Sequence, residues 1–87
     1  MKSEKHNGEI TVDGETCRLT PLEYDVYMLL KLNAGDTLSR ELLLKQVWGY
    51  RSEVDTRSVD MCMKRLRNKI GPERIRTVYG KGYMLTA

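Results

Sequence analysis

VDMCMKRLRNK, residues 59–69, is the stretch on which the reading of this chain turns. It carries four of the fifteen basic residues, Lys64, Arg65, Arg67 and Lys69, beside a single acid, Asp60. At roughly 100° of rotation per residue, Val59, Met63, Leu66 and Ile70 fall within about 60° of one another, a narrow apolar stripe. Arg57, Met61, Lys64 and Asn68 gather on the opposite side. Arg65 and Ser58 flank them on one edge, Arg67 more distantly on the other. The helix that bears them starts near Asp55 or Thr56 and runs to Ile70, where Gly71-Pro72 stops it. A solvated face ordinarily mixes both signs in i,i+4 pairs; here Asp60, in reach of Lys64, is the only acid. Met61 gains nothing from water at the centre of a polar face, but it suits a thymine methyl in a major groove. Arg57 and Lys64 suit guanine edges or phosphates, and Asn68 suits adenine. The helix is therefore predicted to lie against a polyanion.

Beyond it, IRTVYGKGYMLT reads as two β-prone runs around Gly80-Lys81-Gly82, a hairpin with Lys81 at the tip, Tyr79 beside it and Arg76 on the first strand. A basic tip next to a basic helix fits a helix in the major groove with the tip on the backbone or in the minor groove. Gly-x-Gly here is no dinucleotide fingerprint, because a strand rather than a helix follows. Upstream, LTPLEYDVYMLLKLNAG opens with Thr20 as N-cap, Pro21 at the first helical position and Glu23 completing a capping box. Leu22, Val26, Leu29 and Leu30 recur at helical spacing, and Asn33 to Gly35 end the helix. DTLSRELLLKQVWG gives a second helix. Ser39 is its cap, Glu41 lies in its first turn, Leu38 staples onto Leu43, and Leu43, Leu44 and Val47 face inward. Trp48 closes this helix and Gly49 breaks it. GYRSEVD is a polar loop. GEITVDGETCRLT reads as two short strands around Asp13-Gly14, with Ile10, Val12, Cys17 and Leu19 alternating inward. The order is a short β ribbon, three helices and a β-hairpin.

Eighty-seven residues make one small domain. Residues 1–50 carry six Lys/Arg against eight Asp/Glu, and residues 51–87 nine against four. A basic half joined to a mildly acidic half points again to a polyanion. The cysteines Cys17 and Cys62 make no secreted disulfide framework, so a reducing, cytoplasmic setting is expected. No run of eighteen apolar residues marks a membrane span. MKSEKHNGE lacks the apolar segment of a signal peptide, and residues 1–7 read as a tail or linker remnant.

With these residues in view, the chain resembles the winged-helix DNA-binding output domain of OmpR/PhoB-type response regulators. The resemblance runs from Gly8 to Thr86 and lies in LTPLEYDVYMLL, LSRELLLKQVWGY, VDTRSVDMCMKRLRNKIG and IRTVYGKGYML. It implies an α+β winged helix-turn-helix over 8–87: short N-terminal antiparallel β-strands, a three-helix core and a C-terminal β-hairpin wing. The third helix, about 55–70, becomes the recognition helix for double-stranded promoter DNA, and residues 75–86 become the wing. Arg57, Ser58, Met61, Lys64, Arg65 and Arg67 fall where the family touches DNA. With Asn68, Arg76, Tyr79 and Lys81 they form the expected contact set. The loop Trp48, Gly49, Tyr50, Arg51, Ser52, Glu53, Val54 corresponds to a segment that in this family touches RNA polymerase. The resemblance further implies a receiver domain and sensor kinase acting on the full-length protein, no cofactor, and a monomer that pairs on tandem half-sites. This chain departs from the pattern in three places. Cys62 stands where a polar or basic residue often meets phosphate. Tyr79 stands where many members carry a wing arginine. Only about two strands are recognisable where the family opens with four.

The residues offer little to catalysis. His6, the single histidine, lies in the tail, and no Ser/His/Asp or Cys/His pair is at hand. Two separated cysteines make no zinc site. A redox switch at Cys62, with its thiol acidified by nearby cations, is a sharper alternative. The other alternative is a winged-helix protein-interaction module working through the Trp48–Val54 loop.

Overall fold

The computed structural model describes residues 8–12, 14–49 and 56–86. The tail 1–7, Asp13 of the first turn, the loop residues Tyr50 to Val54 and a helix start at Asp55 lie outside the described residues. β1 (Glu9–Val12) and β2 (Glu15–Arg18) pair antiparallel, with Val12 opposite Glu15 and Ile10 opposite Cys17. This register leaves a two-residue connection, as Asp-Gly predicts, and Gly14 supplies the positive φ of 81°. Ile10, Val12 and Cys17 pack half-buried against the core, and Leu19, just past β2, is fully inside it.

α1 (Pro21–Leu32) is launched by the complete capping box. Thr20 Oγ1 accepts from the Glu23 N–H at 3.2 Å, and Glu23 Oε1 accepts from the Thr20 N–H at 3.0 Å. The buried side of α1 runs through Glu23, Val26, Tyr27 and Leu30. Leu22 sits off this stripe at 37% exposure. An acid holds the inward place because the box turns Glu23 back over the helix start, where Lys69 Nζ meets Oε1 at 2.6 Å. A buried carboxylate persists only when paired in this way.

α2 (Arg40–Leu43) starts at Ser39, whose Oγ accepts from the Leu42 N–H at 3.0 Å. It then widens into a π-helical stretch, Leu44–Trp48. The Gly49 N–H closes it on Leu44 O and Lys45 O, both at 3.1 Å. The sequence predicts one plain helix to Trp48. The helix does reach Trp48, but a 3.6-residue hydrophobic pattern does not register a widened last turn. Leu43 is fully buried, with Leu44 and Val47 half-buried against the same core.

α3 (Thr56–Ile70) buries Val59, Met63, Leu66 and Ile70, and also Cys62 at 4% exposure. Cys62, left out of the stripe read from the sequence, thus belongs to the core. It lies about 60° around the helix from Val59, inside the stripe of roughly 100° or more that a core helix presents. A 3-10 turn, Pro72–Arg74, leads into β3 (Ile75–Val78), which pairs antiparallel with β4 (Gly82–Leu85). β4 is also hydrogen-bonded on its other edge. Leu38 N–H donates to Tyr83 O at 2.8 Å, and Tyr83 N–H donates to Leu38 O at 3.0 Å. The link between α1 and α2 therefore anchors the wing. A side chain at position 82 would place its Cβ 2.0 Å from Leu38 O, so this close approach demands glycine. Leu30, Leu43, Met63, Leu66 and Ile75 fill the centre. Among the described residues, no helix is long and apolar enough to cross a membrane.

Candidate nucleic-acid interface

Burying one stripe of α3 turns the opposite side to solvent. Arg57, Met61, Lys64, Arg65 and Asn68 are all exposed there, and Ser58 is half-exposed. Met61, at 53% exposure, stands in the middle of this polar face. Lys64 and Arg65 have no ion-pair or hydrogen-bond partner among the described residues.

The other two cations of VDMCMKRLRNK are committed inside the molecule. Lys69 pairs with the buried Glu23. Arg67 turns its guanidinium onto the wing. Its Nε donates to Ile75 O at 3.0 Å, its Nη2 donates to Thr77 Oγ1, and its guanidinium carbon lies 5.6 Å from the centroid of the Tyr83 ring. Of the residues that the resemblance places on DNA, Arg67 thus has its Nε and Nη2 donors on β3, because it sits on the flank of α3 that packs beside the wing.

Asp60 also has other partners than the expected Lys64. Arg40, at the start of α2, grips it through Nε to Oδ1 at 3.1 Å and through Nη2 to Oδ2. The Tyr83 hydroxyl donates to Oδ1 at 2.6 Å. The bond to Arg40 and the Tyr83 hydroxyl hold the Asp60 carboxyl below its usual range. Burial and the bond to Asp60 push the Tyr83 phenol up to about 12. The one acid of α3 is thus matched by its own fold, and the outward face is left with cations and neutral groups. Sequence reasoning missed Arg40 and Tyr83. The available signal was an acid at the edge of a basic helix, where groups from other elements can compete with Lys64 for it.

Glu23 follows the same logic. Burial pushes its carboxyl up, but the Lys69 ammonium and the Thr20 bonds outweigh that and bring it below 4.5. Cys62 goes the other way. Burial, and then the Glu23 charge, push its thiol up to about 11 despite Arg65 and Lys69 nearby. The raised thiol argues against the acidified cysteine that a redox switch requires, and its 4% exposure argues against a phosphate contact there.

On the wing, Arg76 and Lys81 are exposed, and Tyr79 at the turn is 91% exposed. Gly80, at φ 78°, shapes the tip. A shallow cleft of about 320 Å³ runs between the tip residues and Arg40, Glu41 and Asp60. A second, of about 310 Å³, lies between the start of α1 and α3 and is lined by Leu22, Trp48, Met61 and Arg65. Of the proposed polymerase loop, Trp48 and Gly49 are described and half-buried.

A family model described as "Transcriptional regulatory protein, C terminal" matches residues 14–85. The response regulator ArlR of Staphylococcus aureus (strain Mu50 / ATCC 700699) is 42% identical over 86 residues, which cover 94% of this chain. The chain spans 39% of that relative's length. Among solved structures, the DNA-binding domain of Klebsiella pneumoniae RstA in complex with the RstA box is similar at TM-score 0.79 and 34% identity. That match covers 90% of this chain and 82% of the other. Response regulator DrrB, a Thermotoga maritima OmpR/PhoB homologue, is similar at TM-score 0.77 and 35% identity, covering 85% of this chain and 36% of the other. In helix order, wing and sequence alike, the chain belongs to the OmpR/PhoB-type family of C-terminal domains of transcriptional regulatory proteins.

Proposed function

We propose that this chain binds double-stranded DNA sequence-specifically as the output domain of a transcriptional response regulator. α3 enters the major groove, and the wing, 75–86, lies on the backbone or in the minor groove. One observation carries the reading: the outward face of α3 presents Lys64, Arg65, Asn68 and Met61, while Asp60, its only acid, is neutralised by Arg40. Cations gain affinity from phosphate in any sequence, whereas Met61 and Asn68 add groups that distinguish bases. The similar RstA domain has been seen on DNA, which supports the same docking here.

In the full-length protein, we propose that a receiver domain phosphorylated by a sensor kinase pairs two such domains on tandem half-sites in the cytoplasm. The Trp48–Val54 loop is then turned to RNA polymerase, and the domain works by binding rather than catalysis. The family resemblance and the 39% span of ArlR support this. Site-specific crosslinking from the loop checks the polymerase contact; its absence in an initiation complex removes that assignment.

The experiment for the DNA reading is selection from a random duplex pool at two salt concentrations. Enriched half-sites about one helical turn apart, with log affinity falling by about 0.9 per neutralised phosphate per decade of salt, are expected. Binding without enrichment contradicts sequence reading. No binding at low salt transfers the case to a protein-interaction module.

A further inference from the structure

Asp60 and Arg67 lie seven positions apart on α3, two turns along one flank. Each is held by the wing at a different point. Arg67 reaches β3 through the carbonyl of Ile75 and the hydroxyl of Thr77, and lies over the Tyr83 ring of β4. Asp60 accepts from the hydroxyl end of that same Tyr83 on Oδ1, while Arg40 of α2 bonds both of its oxygens. Tyr83 is 8% exposed and its backbone is bridged to Leu38, so the ring itself is fixed. The result is a bracket with two supports on α3, one on α2 and attachments on both strands of the wing. The buried Ile75 and Leu85 and the Leu38 bridge already seat the hairpin on the core, and the bracket adds polar ties from both strands to α3.

We propose that Arg67 is a positioning residue. With Tyr83, Asp60 and Arg40 it sets the wing at a fixed angle to α3, so that Lys81 and the α3 face meet DNA as one rigid surface. This rests on the DNA-binding reading above and goes beyond it, because it removes Arg67 from the phosphate contacts and gives it control over contacts made elsewhere. A guanidinium is suited to this work. Its Nε–H and Nη2–H form a planar fork that satisfies a carbonyl and a hydroxyl together while its flat face covers an aromatic ring. An ammonium has the same charge but lacks the fork and the flat face.

The test is a binding cycle on the duplex selected by the wild-type chain, using R67K, K81A and the double variant, with T77V and T77S beside them. R67K preserves the charge, so a residue that served only as a phosphate contact would keep its salt slope and lose the same factor with or without Lys81. The proposal expects R67K to bind roughly tenfold more weakly, the size of coupling that residues within one network show. It also expects K81A, harmful in the wild-type background, to cost almost nothing further in R67K, since the tip is already misplaced. T77V, which changes no charge, weakens binding in the same direction, and T77S restores it by returning the hydroxyl. Losses that multiply in the double variant, or R67K binding like wild type, overturn the proposal and leave the DNA reading standing. Failure of the wild-type chain to bind any duplex overturns the DNA reading itself, and this inference with it. Helical circular dichroism on each variant keeps a folding defect from passing as a positioning effect.

Discussion

Lys64 stands exposed on α3 with no ion-pair or hydrogen-bond partner among the described residues, one position from the buried Met63. Placed against a base edge, it is expected to lose about 1–3 kcal/mol of binding on substitution to alanine, with specificity relaxed at one position of the site. Titrations against the selected duplex and its single-base variants measure this; an equal loss on every duplex would make Lys64 a phosphate contact instead. Cys62 shows how far one residue's setting outweighs its neighbours in sequence. Arg65 and Lys69 favour its thiolate, yet burial and Glu23 prevail and the thiol rises to about 11. Iodoacetamide is therefore expected to modify the half-buried Cys17 well before Cys62 in the native chain, and both together after unfolding. Peptide mass spectrometry over a time course reads the order, and early labelling of Cys62 would restore the redox switch.

The ends and joints of the elements carry as much as their faces. Glu23 is the last residue of the α1 capping box and the partner of Lys69 on α3, so it links two helices through one carboxylate. Lys69 and Thr20 hold its carboxyl below the ordinary glutamate range despite burial. A depressed carboxyl contributes stability that is full above its unfolded pKa and is lost as pH falls through the folded value. Asp60 is depressed as well and acts in the same direction. Stability is thus expected to drop on acidification below about pH 4.5, and Glu23→Gln to lower stability at pH 7 while flattening that drop. Denaturant melts at several pH values check both; an unchanged acid profile in the variant would mean that Glu23 is not the linkage. Gly82→Ala is expected to cost more than about 1 kcal/mol, because the added Cβ would sit 2.0 Å from Leu38 O and open the bridge that anchors the wing. A thermal melt that stays at the wild-type midpoint would contradict that anchor.

Across the whole molecule, what was legible in the sequence is what local rules encode. The capping box at Thr20, the Asp-Gly turn, and the α3 stripe of Val59, Met63, Leu66 and Ile70 each state their own geometry within a few residues. The exposed set on α3 followed from the same helical arithmetic. What stayed hidden depends on partners distant in sequence. Arg67 and Lys69 looked like Lys64 and Arg65 until Thr77, Ile75 and Glu23 were brought beside them. Asp60 looked like a partner for Lys64 until Arg40 and Tyr83 reached it. The fold thus divides one basic run into two cations that hold the structure together and two that face outward, and it spends the only acid of α3 on its own bracket. The claim that this outward face is the working surface is tested most directly by backbone chemical-shift perturbation as the selected duplex is added. The largest shifts are expected at Arg57, Met61, Lys64, Arg65 and Asn68, and at Tyr79 to Lys81 on the wing tip. Shifts gathered around Leu22 and Trp48, with the α3 face undisturbed, would contradict it.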